Sequence, residues 1–174
     1  VRDRHVRVVR EPGLDAEVAG PYALLQPDAV LRPDVDDDED DSFLTCELLR
    51  DVDPNGFAVD IVATYTHALA KIDYVPYDLC LVDYRLGAHT GLEFIEHVRA
   101  TGLAVPCILL TGQGDHAIDV TAMQAGADDY LVKGQLNPVT FERAIRYALE
   151  RAQTLAEVRA AKAAAEQANQ AKSL

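Results

Sequence analysis

An α/β fold, a doubly wound five-stranded parallel sheet with an extended C-terminal helix, is predicted by three features of the sequence. Three short apolar runs each end in a polar residue of a different kind: LCLVD at Asp83, CILLT at Thr111 and YLVK at Lys133. Helix-like spacing of apolar residues fills the intervals between such runs, which implies right-handed βαβ units and a parallel sheet. From Pro138 onward nothing breaks a helix. Buried parallel strands read as continuous apolar runs, and in an open α/β sheet the ligand site lies just beyond their carboxyl ends.

The elements follow in order. Val1 to Asp28 holds Pro12, Gly13, Gly20, Pro21 and Pro27 with no sustained period, so residues 1–28 are expected to form a leader of little regular structure. Within it, HVRVV alternates well enough for a short strand. The first strand of the sheet is expected at AVLRPDV, just before the acidic run DVDDDEDD from Asp34 to Asp41. Arg32, Pro33 and Asp34 stand there in place of branched apolar residues, and proline removes a ladder donor, so this strand is expected to be short, bulged or displaced. From Ser42, the residues Phe43, Leu44, Leu48, Leu49 and Val52 recur at helical spacing, and Pro54-Asn55-Gly56 makes a turn. A strand over Phe57–Thr64, a helix over Tyr65–Val75 and a buried strand over Leu79–Asp83 come next. Gly91 opens a helix with Leu92, Phe94, Ile95 and Val98 on its apolar side, closing near Gly102. Pro106–Thr111 is a strand, His116–Ala125 a helix ending at Gly126, and Tyr130–Lys133 the last strand.

A helix from Pro138 to Leu174 would span about 55 Å, far more than one domain needs. Phe141, Ile145 and Leu149 can pack on the sheet, whereas the segment after Arg151 is rich in Ala, Glu, Lys and Gln. Such a solvated helix gains little stability alone, so it is expected to pair. Leu155 and Val158 at the a and d positions of a heptad put Lys162 and Asn169 at a, and Ala165 and Lys172 at d, where polar a residues can fix dimer register. A frayed solvated helix is the competing reading.

Composition narrows the function. With 174 residues the chain is long enough for one domain and an appendage. A net charge of -13 and a pI near 4.6 argue against binding nucleic acid, which needs a basic face. Cys46, Cys80 and Cys107 are odd in number, and two lie in apolar strand runs where reduced Cys behaves as a small hydrophobe, so a cytoplasmic location is expected. No apolar stretch approaches the roughly 20 residues of a membrane span, and the charges of Val1 to Arg10 do not suit a signal peptide. Met123 is the one methionine, so a fragment or a processed form is expected.

The polar residues at the strand ends should converge on one edge. Carboxylates for a divalent cation, an isolated Asp, a hydroxyl and an ammonium together describe a site that handles a phosphoryl group on the Asp. This order and spacing, with Gly91, Leu92 and Glu93 downstream of Asp83, resembles the response-regulator receiver domain over roughly Ala29 to Arg151. The resemblance implies a flavodoxin-like fold of strand order 2-1-3-4-5, divided as leader 1–28, receiver domain 29–151 and coiled-coil signalling helix 152–174. It implies that Asp83 is the phosphoacceptor, that Thr111 and Lys133 contact the phosphoryl oxygens, and that Tyr130 is a switch aromatic acting with Thr111. It further implies Mg2+ (or Mn2+) held by Asp36, Asp37, Asp83 and the backbone carbonyl of Arg85. A solvated acidic loop, or a one-residue slip to Asp37 and Asp38, competes for the metal pair, while counting back from the Phe43–Val52 helix favours Asp36 and Asp37. Gly134 follows Lys133 where the family usually has proline, so the conformation of that loop does not carry over. His5, His67, His89, His97 and His116 show no metal-ligand spacing and receive no role.

AAEQANQAKSL resembles the helix leading into the dimerisation and phosphoacceptor domain of sensor histidine kinases. That implies the N-terminal receiver and linker helix of a hybrid kinase, with a phosphohistidine-bearing kinase or phosphotransfer domain as donor and a homodimer formed through the C-terminal helix. Two other classes stay open. One is a receiver-like scaffold that takes no phosphate, favoured by the irregular AVLRPDV segment. The other is an aspartyl-phosphate hydrolase, which would carry a second acid two residues after the nucleophile, where this chain has Arg85.

Overall fold

Two strands, Leu79–Asp83, buried except at Asp83, and Cys107–Thr111, buried throughout, organise the molecule through the alternation of their side chains. The computed structural model describes residues 4–9, 39–53, 57–62, 64–112 and 116–172. In chain order these form β1 (Arg4–Val9), α1 (Glu39–Val52), β2 (Phe57–Val62), α2 (Tyr65–Ile72), β3 (Leu79–Asp83), β4 (Arg85–Leu86), β5 (His89–Thr90), α3 (Gly91–Ala100), β6 (Cys107–Thr111), α4 (His116–Ala125), β7 (Asp129–Val132), a 3-10 turn over Lys133–Gln135, and α5 (Pro138–Lys172). Five of the strands make one parallel sheet in the order β2-β1-β3-β6-β7, and β4 and β5 form a small antiparallel hairpin. Counted within the large sheet, this is the expected 2-1-3-4-5 order.

The identity of the first strand corrects the sequence reading. Arg4–Val9, which contains the short strand expected at HVRVV within the leader, takes the position between β2 and β3 that was expected for AVLRPDV, with Val6 opposite Leu79 and Val9 opposite Val82. RHVRVV has the β-branched residues and complete set of N–H donors that a central strand bonded on both sides requires; in AVLRPDV, Pro33 lacks one. AVLRPDV itself lies outside the described residues. Smaller shifts have local causes. Asp73 closes α2 at Ile72 instead of Val75, donating its N–H to the carbonyl of Lys71. The last strand ends at Val132, so Lys133 opens the turn.

Successive strand residues point to opposite faces and build two cores. Cys80, Val82, Cys107 and Leu109 face α2, α3 and α4 and pack with Ala68, Phe94, Ile95, Val98 and Ala122. Leu79, Leu81, Ile108 and Leu110 face α1 and α5 and pack with Leu48, Leu49, Phe141, Ala144, Ile145 and Ala148. Cys80 and Cys107 are both buried and stand in register on neighbouring strands.

The edge opposite the carboxyl ends is tied by Arg99 of α3. Its guanidinium donates to the carbonyls of Gly126 (2.9 Å), Val105 (2.8 Å) and Leu103 (3.3 Å) and to Asp128 Oδ2 (2.9 Å). That carboxylate oxygen also accepts the N–H of Cys107, so one pair pins the starts of β6 and β7 to the ends of α3 and α4. On the other flank Asp60 of β2 accepts from Lys71 Nζ at 2.8 Å and from the Tyr77 hydroxyl. Past Ala152 the residues of α5 are exposed through Lys172, which leaves the helix projecting from the domain.

Candidate functional site

The parallel register brings the chemistry-bearing residues together because β3, β6 and β7 end at one level. Asp83 closes β3 opposite Leu110, and Thr111 closes β6 opposite Val132, so Lys133 begins immediately beyond the same edge. Lys133 Nζ lies 2.9 Å from Asp83 Oδ2, with side-chain exposures of 18% and 16%. The pair is therefore partly withdrawn from water, where an ion pair is screened less than at the surface. Thr111 is only 2% exposed, and open space lies beside Gly112. Tyr130, half-buried on β7, packs against the core beneath this edge.

The segment after Asp83 is held closely. Tyr84 donates its N–H to the carbonyl of Leu110, extending the β3–β6 pairing by one bond, and Gly91 donates to the carbonyl of Tyr84 at 2.8 Å. Between them β4 and β5 pair Arg85 with Thr90 and Leu86 with His89, turning through Gly87 at φ 70. The Arg85 N–H points back to Asp83 Oδ1 at 3.4 Å. Gly91 is required by close approach: a Cβ there would collide with the carbonyl oxygen of Asp83 and come within 2.8 Å of Leu109 Cδ1.

Thr90 caps α3 in a capping box, its hydroxyl accepting from Glu93 N while Glu93 Oε2 accepts the Thr90 N–H at 2.7 Å. That N–H, and secondarily His89, hold the Glu93 carboxyl below its ordinary range. His89 Nδ1 lies 3.4 Å from Glu93 Oε2, and its ring stacks on Tyr65 at 4.1 Å and 17°. Burial pushes the Tyr65 hydroxyl up, and Glu93 adds to the rise. His67 and His97 have no place in the site, and His5 and His116 have no described side chains. The stack of Tyr65 on His89 was not legible in the sequence, because one residue opens α2 and the other belongs to the β4–β5 hairpin.

Of the expected residues, the structure brings together Asp83, Arg85, Thr111 and Lys133, with Tyr130 beneath. Asp36 and Asp37 lie outside the described residues. Among the described residues no group of three or more His, Cys, Asp or Glu side chains is arranged to hold a metal ion. The carboxylate of Asp83 and the backbone of Arg85 nonetheless offer hard oxygen donors at one strand end, the ligand type Mg2+ takes.

The family model for the response regulator receiver domain matches residues 35–146. That is more than half of the sequence, and the chain belongs to this family, the receiver domains of two-component signalling. Its relatives include the two-component response regulator PhoP of Pseudomonas aeruginosa, 34% identical over 104 residues covering 60% of this chain and 44% of that protein. The acid tolerance regulatory protein ActR of Sinorhizobium medicae is 38% identical over 96 residues, 55% of this chain and 49% of that one. The chain thus spans about half the length of the curated relatives it matches. Among solved structures, the receiver domain of the Francisella response regulator 1452 superposes with a TM-score of 0.61 at 16% identity, over 86% of this chain and 98% of that one. The receiver domain of sensor histidine kinase PA1611 from Pseudomonas aeruginosa, solved with magnesium coordinated in its active-site cleft, gives 0.60 at 21% identity, over 84% and 98%. These likenesses show the flavodoxin-like receiver fold.

Proposed function

We propose that Asp83 accepts a phosphoryl group from a phosphohistidine on a kinase or phosphotransfer domain and that α5 relays the change to an output. The observation that carries this reading is the approach of Lys133 Nζ to Asp83 Oδ2 at 2.9 Å, beside the end of β6 where Thr111 stands. In the transfer a carboxylate oxygen of Asp83 attacks phosphorus. The phosphorus–nitrogen bond of the donor breaks, and its imidazole leaves with the electron pair. Lys133 is a compact charge already at hand for the phosphoryl oxygens, Thr111 closes the neighbouring strand, and Gly91 leaves room for the Asp83 backbone. Asp36 and Asp37, with Asp83 and the Arg85 carbonyl, are the residues that would hold Mg2+ (or Mn2+), which when bound offsets negative charge on the acceptor and phosphoryl oxygens.

Phosphorylation adds charge where Lys133 now meets Asp83. Lys133 and Thr111 then reorient toward the phosphoryl group, and Tyr130, on β7 beside them, follows. Lys133 leads through a single turn and Leu136 into α5, which gives the change a short covalent path to the long helix. In the architecture we favour, that helix pairs with a second copy in the cytoplasm and continues into a histidine kinase domain. Among the described residues no helix is long and apolar enough to cross a membrane. Incubation with acetyl phosphate and Mg2+, followed by intact-mass analysis, is expected to add one acid-labile phosphoryl group to the wild-type chain and none to Asp83→Asn. Equal labelling of both would overturn the assignment.

One observation favours a second reading, a receiver-like scaffold that takes no phosphate. β1 ends at Val9, whereas the acidic run stands far downstream at Asp34 to Asp41. The same labelling experiment separates the two readings.

A further inference from the structure

The segment that follows Asp83 is closed at its base by the Gly91 N–H on the Tyr84 carbonyl and paired internally as β4 and β5. Leu86 anchors it from below, 3% exposed in the core. Opposite Leu86 in that pairing is His89, whose ring stacks face to face on Tyr65, 4.1 Å between centroids. Tyr65 is itself fixed twice. It is the first residue of α2, directly after the N-cap Thr64, and its ring meets the buried Phe94 of α3 edge to face at 6.4 Å. Glu93 holds the other side of His89 and at the same time the N–H of Thr90.

We infer that the Tyr65–His89 stack is a strut between the loops after β2 and β3, and that these two are positioning residues that hold the Arg85 backbone in place beside Asp83. The inference rests on the reading of Asp83 as phosphoryl acceptor and adds to it residues that touch neither the phosphoryl group nor a metal. Arg85 sits directly opposite Thr90, the residue following His89, so a hairpin free to swing at His89 would carry Arg85 with it. The Arg85 N–H now faces Asp83 Oδ1, and the Arg85 carbonyl is one of the donors assigned to Mg2+. The presence of a flat ring at position 89 therefore sets how well the acceptor site is preorganised. A flat ring of either polarity serves, because stacking supplies the contact.

The test uses the whole chain in four variants, His89→Ala, Tyr65→Ala, His89→Phe and Tyr65→Phe, each first shown to melt cooperatively. Phosphoryl acceptance from acetyl phosphate is followed across a Mg2+ titration, and hydrogen exchange of the peptide covering residues 84–92 is measured on the same samples. The alanine variants are expected to need about tenfold more Mg2+ for half-maximal acceptance, the loss typical when support for a metal ligand is removed. Their 84–92 peptide is expected to exchange faster, while both phenylalanine variants follow wild type. Unchanged Mg2+ demand and exchange in both alanine variants would overturn the strut. So would His89→Phe behaving like His89→Ala. A wild-type chain that takes no phosphoryl group, with exchange still accelerated in the alanine variants alone, would remove the reading of Asp83 and leave the strut standing.

Discussion

Lys133 and Asp83 stand 50 residues apart in the chain, and the ammonium of one lies 2.9 Å from a carboxylate oxygen of the other. The contact spans the ends of two strands, β3 and β7, with β6 between them. Such a pair presents its charge where negative charge would develop on a phosphoryl group being transferred. Lys133→Met is therefore expected to slow phosphoryl acceptance on the order of 100-fold, in line with loss of one preorganised charge. Lys71→Met is the control, since Lys71 also pairs with a carboxylate but does so with Asp60 at the β2 edge. Acetyl phosphate labelling of the two variants checks this, and equal slowing of both would show that charge loss alone is responsible.

Arg99 offers a prediction about stability instead of chemistry. Its guanidinium serves three backbone carbonyls and the Asp128 carboxylate, all at part-buried positions. Arg99→Ala leaves those acceptors without it and is expected to cost about 2–3 kcal/mol, the cost of buried polar groups left unmade. Lysine should recover little, because one ammonium cannot reproduce the planar fork that reaches Gly126, Val105 and Asp128 together. Urea unfolding of the three proteins measures the difference, and full recovery by Arg99→Lys would refute the multidentate account.

Asp129, at the start of β7, gives a pH dependence with a definite sign. Burial raises its carboxyl above the ordinary value of 3.8, and Asp119 and Asp128 push the same way, against the Tyr130 N–H and Arg143. The folded protein then holds this proton more tightly than the unfolded chain. Between the unfolded and folded values the native state binds more protons, so stability falls as pH rises through that window, and the penalty stays constant above it. Asp129→Asn keeps an oxygen for the Tyr130 N–H at 2.8 Å while removing the charge. The variant is expected to melt higher than wild type at pH 7, with the gap narrowing as pH falls toward about 4. A gap independent of pH would mean that the charge is not its origin.

The parts of the fold legible in the sequence were those governed by local pattern. Leu79 to Val82 and CILLT are buried on both faces, and that condition leaves a continuous apolar run. His116–Ala125 could be bounded because Gly126, at φ 93, supplies the left-handed stop. The first strand was misplaced for the converse reason. RHVRVV alternates with two arginines, a pattern expected of a half-exposed strand, although in the sheet it is bonded on both sides. What decides its place is pairing with β2 and β3, which no local window contains. The site divides in the same way. Asp83, Thr111 and Lys133 are legible because each terminates a run, whereas the Tyr65–His89 stack needs the start of α2 and the β4–β5 hairpin brought together.

The helix α5 leads to the last prediction. Leu155 follows the buried Phe141 by two heptads and the buried Ala148 by one, while Val158 follows the buried Ala144 by two. The stripe that α5 presses on the sheet therefore runs on, past the edge of the domain, into Leu155 and Val158, which are 46% and 59% exposed. A straight helix drifts only about 20° per heptad against such a repeat, so the two segments share a side. As long as the domain covers that side no partner helix can reach it, so pairing is confined to the stretch beyond Ala152. We expect a parallel homodimer through Leu155 to Leu174, made weak by Lys162 and Asn169 at its a positions. Deleting Gln153 to Leu174 should give a folded monomer, and Lys162→Leu should shift the dimer to lower concentration. Sedimentation of the full chain, the truncated chain and the leucine variant, each with and without beryllofluoride, measures both effects. A full chain that stays monomeric at high concentration in every state, with Lys162→Leu monomeric too, would reduce the tail to a tether and remove the physical route from Asp83 to a dimeric output.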